Sequence, residues 1–195
     1  MTIESYGFYP KGGGRVRAEI PPSAKIRPLQ CATRGDIASL HGYSAVANLP
    51  PSIAERQRGA ALKKISLMKG DFTPGEIKVL EVFSPGQGTF LHLDCGYDNS
   101  HAGFTALGER GKRAEAVGEE AAAEFLAYHA TGAAFDPHLS DQIVLYLSLC
   151  RETSEFTASR ITSHLMTNLW VIGLFHEFTY SVEGNIGEPG RVRIN

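Results

Sequence analysis

The chain has 195 residues, of which 43% are hydrophobic and 21% charged, and its formal net charge is −2. That length holds one large domain or two small ones, and the composition excludes a disordered or low-complexity protein. The mild acidity excludes a broad basic nucleic-acid footprint, so any contact with RNA has to be local or made by residues outside this sequence.

In chain order, Pro10, Lys11 and Gly12 to Gly14 predict a turn. Val16, Ala18 and Ile20 alternate with Arg15, Arg17 and Glu19, which predicts a half-buried strand over 15–20. PPSAKIRP reads as an irregular link, and Ile37 to Val46 as a second strand. After NLPP, Ser52 and Glu55 have the spacing of a capping box. The helix that follows places Ala54, Ala61, Ile65 and Met68 on one face and is expected to end at Gly70. EIKVLEVF and GTFLHLDC read as strands around the SPGQG turn, and HAGFTALGERG as a third strand running into a loop. A helix is predicted over 114–130, with Val117, Ala121, Phe125 and Tyr128 as its apolar stripe and Gly132 as its stop. Asp136 is expected to cap the next helix, with Pro137 in its first position. SEFTAS reads as a short strand. A last helix is expected from Thr162 or Ser163 to about Phe175, with the stripe Ile161, Leu165, Leu169 and Ile172. FTYSVEG and RVRI close the chain as strands around GEPG. Strands and helices alternate, so the fold class is α/β or α+β.

Cys31, Cys95 and Cys150 are odd in number and far apart, without CxxC spacing. They read as small buried hydrophobes of a protein from a reducing cytoplasm. The opening MTIESYGFYPKGGG lacks the apolar core of a signal peptide. The run LWVIGLF is too short to span a bilayer, so no membrane association is expected.

Three segments invite a chemical reading. His164 falls in the first turn of its helix, where unpaired amides and the helix dipole favour phosphate. Thr162, Ser163, Thr167 and Asn168 add short donors around it. An imidazole so placed suits covalent catalysis at phosphorus, and the plain alternative is a capping or surface histidine. In HLSDQ, His138 to Gln142, a carboxylate and an amide open an apolar helix. They suit the polar edge of a nucleotide, or ordinary helix-start chemistry. PKGGG lacks both the GxxxxGK and the GxGxxG spacings and reads as a glycine-rich hairpin turn, with Lys11 beside it available to an anion. The remaining histidines, His41, His92, His101, His129 and His176, have no metal-ligand spacing, and no structural zinc is expected.

GFYPKGGG, LGERGKRAEAVGEEAAAEFL, HLSDQIVLYLSL and TSHLMTNLWVIGLF occur together in the order, and roughly with the spacing, of the RNA 3′-terminal phosphate cyclases. The chain resembles that family over nearly its whole length, least over Pro21 to Pro28 and around CGYDNSHAG. The resemblance implies a fold of the EPSP-synthase and RNA-cyclase type, repeated β/α units with an inserted small α/β domain. Residues 1–34 and 131–195 would then form the last β/α unit of the core, and 35–130 the insert.

It also implies ATP-dependent conversion of an RNA 3′-phosphate to a 2′,3′-cyclic phosphate through a histidyl-AMP intermediate. By motif match, His164 is the nucleophile. His138, Leu139, Ser140, Asp141 and Gln142 match the ATP-contacting segment, with Asp141 and Gln142 near the nucleotide and His138 stacked on adenine. ATP and a divalent metal, magnesium or manganese, are the implied cofactors, the metal ligands lying outside this chain. RNA 3′-phosphate ends are the implied partner.

The resemblance also has a departure. Members of the family are nearly twice this long, and their first half carries an EGGGQ-like motif, phosphate-binding arginines and a metal-binding glutamate. This chain opens on what matches mid-protein. The expectation is a C-terminal half with an exposed apolar face that favours an N-terminal-half chain or a homo-oligomer. Two other classes are kept open: a non-catalytic cyclase-like protein of RNA processing or ribosome assembly, or an inactive fragment; and an enolpyruvyl transferase of the same fold, which would need a basic sugar-phosphate site.

Overall fold

The computed structural model describes residues 1–23, 25–68 and 73–195. Among them the element order is β1 (Thr2–Ser5), β2 (Arg15–Arg17), β3 (Gln30–Cys31), β4 (Ile37–Ala47), α1 (Pro51–Ile65), β5 (Ile77–Glu81), β6 (Gly88–Tyr97), β7 (His101–Leu107), α2 (Ala114–Thr131), α3 (Pro137–Ser148), β8 (Ser154–Ala158), α4 (Ser163–Ile172), β9 (Tyr180–Glu183) and β10 (Gly190–Ile194). The mixture of helices with parallel and antiparallel strands makes this an α+β fold. It divides into two compact units.

The first unit comprises Met1–Pro21, Ile37–Cys95 and Gly103–Ala127. Its sheet has the order β5-β4-β6-β7. β4 and β5 run parallel, with Gly42 opposite Ile77, and α1 makes the crossover that parallel pairing requires. α1 buries Ala54, Gln57, Ala61 and Ile65, a helical stripe read by packing. β7 alternates strictly, burying Phe104 and Ala106 between exposed positions. Phe104 meets Phe125 of α2 edge to face at 6.1 Å. Gly118 lets α2 lie close against α1: a Cβ there would stand 2.0 Å from the carbonyl oxygen of Gln57. The β1–β2 ribbon pairs Ile3 with Val16, and beyond it the rings of Tyr6 and Phe8 lie against Phe90 at 6.1 and 6.2 Å.

The second unit comprises Pro22–Asp36, Gly96–Ala102 and Tyr128–Asn195. Its sheet has the order β3-β8-β10-β9, with β3 parallel to β8 and the other pairs antiparallel. α3 and α4 bury Val144, Leu147, Leu165, Leu169 and Ile172 in one core with Phe156, Val192 and Ile194 of the strands. Arg34 ties this unit's pieces together: its guanidinium donates to the His129 carbonyl at 2.9 Å and lies 4.7 Å from the centre of the Tyr97 ring. Burial, and then the nearby Arg34 charge, holds the His129 imidazole below its ordinary pKa.

Several local expectations change. Ser52 and Glu55 form no capping box: Pro50 is the cap residue of α1 and no side chain closes that end. Proline at the first helical position already lacks the N–H that such a cap would satisfy. The expected stop at Gly70 lies outside the described residues. β2 is shorter than 15–20 and exposed on both faces, because a two-stranded ribbon offers no second layer. All three cysteines are free thiols, and burial raises the pKa values of Cys31 and Cys95. Among the described residues, no helix is long and apolar enough to cross a membrane.

Candidate functional site

α4 begins where the chain leaves β8. Ile161 is buried, and its N–H donates to the Glu188 carbonyl at 2.7 Å, which fixes the approach. Thr162 is extended, and its hydroxyl accepts from the Leu165 N–H at 3.0 Å. Leu165, Leu169 and Ile172 then turn one face of the helix into the core. Helical periodicity puts Ser163, His164 and Thr167 on the opposite, exposed side. No acidic residue stands in this first turn, so the positive end of the helix dipole meets no side-chain charge of its own.

α3 begins differently. Asp136 is buried, and one of its carboxylate oxygens accepts from the N–H groups of His138 and Leu139 at 2.8 and 3.0 Å. The Ser140 hydroxyl donates back to the Asp136 carbonyl at 2.7 Å. This end is therefore already occupied by an anion, the protein's own carboxylate.

The two helices pack on one another. Asn168, one turn beyond His164, donates its side-chain N–H to the backbone carbonyl of Asp141 at 2.9 Å. That bond sets the segment 138–142 against the early turns of α4. Within the segment, His138 and Gln142 are exposed and one turn apart, and Asp141 is half-buried. Ser140 is fully buried, and Leu139 packs on the core, so neither side chain faces solvent as His138 and Gln142 do. Of the short donors around His164, Thr162 and Asn168 are committed to the protein's own backbone, while Ser163 and Thr167 remain exposed. Sequence spacing suggests that all four serve a ligand; it cannot distinguish a hydroxyl that caps from one that waits.

An exposed imidazole at an uncompensated helix start can attack phosphorus. What the two helices lack is cationic charge for a polyphosphate: neither α3 nor α4 contains a lysine or arginine, and Arg160 is two residues before the cap. Among the described residues, no group of three or more histidine, cysteine, aspartate or glutamate side chains could hold a metal ion. A cavity of about 430 Å³ in this unit is lined by Thr157, Glu183 and Arg191 among others, but not by His164 or 138–142.

Comparison with known proteins bears on the same segments. The profile of the family described as RNA 3′-terminal phosphate cyclase matches residues 1–182. The RNA 3′-terminal phosphate cyclase of Methylococcus capsulatus is 44% identical over 90% of this chain and 48% of its own length. Those of Methanopyrus kandleri and Thermococcus kodakarensis are each 37% identical over 100% of this chain, and over 56% and 55% of their own lengths. The chain thus spans about half the length of the curated relatives it matches.

Proposed function

The chain belongs to the RNA 3′-terminal phosphate cyclase family, and from that premise we propose that it is the nucleophile-bearing part of an ATP-dependent cyclase of RNA 3′-phosphate ends. The observation that carries this reading is the exposure of His164 at the start of α4, at a helix end free of acidic side chains. A ring nitrogen of His164 attacks the α-phosphorus of ATP. The bond to the bridging oxygen breaks, pyrophosphate leaves, and a phosphoramidate holds AMP on the ring. An oxygen of the RNA 3′-phosphate then attacks the same phosphorus, freeing the imidazole. The neighbouring ribose 2′-hydroxyl attacks the activated 3′-phosphorus, AMP departs, and the 2′,3′-cyclic phosphate remains.

The residues of this chain do their share at two places. The α4 start receives the α-phosphate, with Ser163 and Thr167 as exposed donors. His138 and Gln142, with the half-buried Asp141, face the nucleoside. The charge of the remaining phosphates, and any divalent ion, have to be met by groups that α3 and α4 do not carry. Groups equivalent to those in the other half of the relatives, in this protein or in a partner chain, would supply them.

The second unit has a surface suited to such a partner. Trp170 is 61% and Phe175 84% exposed, and Tyr146, Leu149 and Leu174 are exposed too. Large exposed apolar side chains on two packed helices and just past their ends mark an interaction face.

The test is a mixing experiment. This chain is combined with the separately expressed first half of the Methylococcus capsulatus relative, ATP and an oligoribonucleotide ending in 3′-phosphate. Ends resistant to phosphatase, formed by the mixture and lost with His164→Ala, are expected. Ends that stay phosphatase-sensitive in the mixture contradict the reading.

A further inference from the structure

The first unit holds a cavity of about 1260 Å³, and none of its lining residues belongs to α3 or α4. Its floor makes no demand on a ligand. Gln57 is fully buried, donates to the Thr89 hydroxyl at 2.9 Å and accepts from the Ser44 hydroxyl at 2.7 Å; Thr89 in turn donates to the Ala45 carbonyl at 2.7 Å. The rim is another matter. Tyr9 is 94% exposed and Phe83 88% exposed, and both line the cavity.

These rings are not exposed because their loops are loose. The Gly12 N–H closes the first loop on the Phe8 carbonyl at 2.8 Å. Asn48 donates to the carbonyls of Ser84 and Gly86 at 2.8 and 2.9 Å, and Gln87 donates to the Asn48 carbonyl at 3.1 Å. The loops also interlock: a Cβ on Gly88 would stand 2.0 Å from the Phe8 ring, and one on Gly86 3.4 Å from Cβ of Lys11. A built scaffold therefore holds two aromatic faces in water, where each forgoes the gain of burial.

The same lining gathers charge of one sign. Lys11, Arg56, Arg110, Lys112 and Arg113 stand against a single acid, Glu109, in a chain whose net charge is −2. Arg56 is held by Glu115 in a two-point ion pair at 2.7 and 2.9 Å, and Lys112 is held by Glu120. Among the described residues, Lys11, Arg110 and Arg113 enter no salt bridge, and all three are exposed. Exposed aromatic faces beside exposed cations are the arrangement that takes a single strand: bases stack on the rings and phosphates meet the cations. The volume exceeds the usual small-molecule range of about 300–1,000 Å³. The amides of Asn48 and Gln87 are spent on the loops, which leaves few groups to read base edges.

We propose that this face binds single-stranded RNA without sequence preference, stacking bases on Tyr9 and Phe83 and holding phosphates with Lys11, Arg110 and Arg113. The choice of RNA as the strand rests on the function proposed above; the site would grip the body of the RNA, not its reacting end. It also gives Lys11 of the PKGGG turn a role that a hairpin alone does not.

The test is fluorescence anisotropy with a labelled single-stranded 12-mer RNA ending in 3′-hydroxyl, no ATP, and the full chain. Binding is expected, with a marked preference over the same RNA as a duplex. Tyr9→Ala with Phe83→Ala should weaken it about tenfold or more. Lys11→Gln with Arg110→Gln should reduce the slope of log affinity against log salt by about 1.4. Thermal melting of each variant has to match the parent, and Tyr9→Trp should bind as the parent does. Absence of binding, equal binding of duplex, or folded aromatic variants that bind like the parent would each overturn the proposal. Self-adenylylation is read on the same preparations with the complementary half of a relative added. A chain that binds RNA through Tyr9 and Phe83 without labelling refutes only the cyclase chemistry; a chain that labels and binds no RNA refutes only this site.

Discussion

α3 and α4 pack on each other and feed the same core, yet their first turns are built for opposite ends. At α3 a buried aspartate takes two N–H groups, and a serine hydroxyl returns to the aspartate's own carbonyl. That end is closed by the protein. At α4 a neutral threonine hydroxyl takes one N–H, no acid follows, and a histidine stands in solvent. A helix start is available to phosphate only when the chain has not already spent a negative charge there. A search for histidines near helix starts would not separate His138 from His164; the cap residue does.

Substitutions at each helix start separate the two ends. The largest expected effect is Asp136→Ala, which orphans two amides in a buried setting and should lower unfolding free energy by about 2 kcal/mol in urea titration. A loss below about 0.5 kcal/mol would mean that α3 is not closed by its aspartate. Thr162→Ala removes a single neutral bond at the other start, and a smaller loss of about 1 kcal/mol is expected from the same titration. The smallest stability effect, and the sharpest contrast, comes from Ser163→Asp, which gives α4 the acidic first turn that α3 effectively has. The dipole argument predicts a gain of a few tenths of a kcal/mol together with a clear drop in adenylylation by ATP. Gain of stability with undiminished labelling would show that the α4 start does not receive phosphate.

Both helix starts were legible in the sequence, because Asp-Pro and Thr-Ser before an apolar stripe carry their own physics. The α4 stripe of Ile161, Leu165, Leu169 and Ile172 is buried as periodicity predicts. Ser52 and Glu55 misled because the capping-box spacing says nothing of which residue turns into the helix, and Pro50 does so here. β3 was not legible at all: two residues, Gln30 and Cys31, have no period, and only pairing with β8 makes them a strand. Nor was the difference between Ser140, buried and turned onto its own backbone, and its exposed neighbour Gln142, since burial depends on what α4 brings to that face. The rim of the first unit's cavity was half legible: Lys11 stood out beside its glycines, but nothing in the chain order brings it near Phe83 and Arg110.

The measurement that tests the central claim most directly is labelling of the purified chain with α-labelled ATP and magnesium or manganese, with and without the complementary half of a relative, followed by peptide mapping. Acid-labile, base-stable label is expected on the peptide that contains His164, with its loss in a His164→Ala variant that melts like the parent. Label on any other residue, or none with the complementary half present, would contradict it.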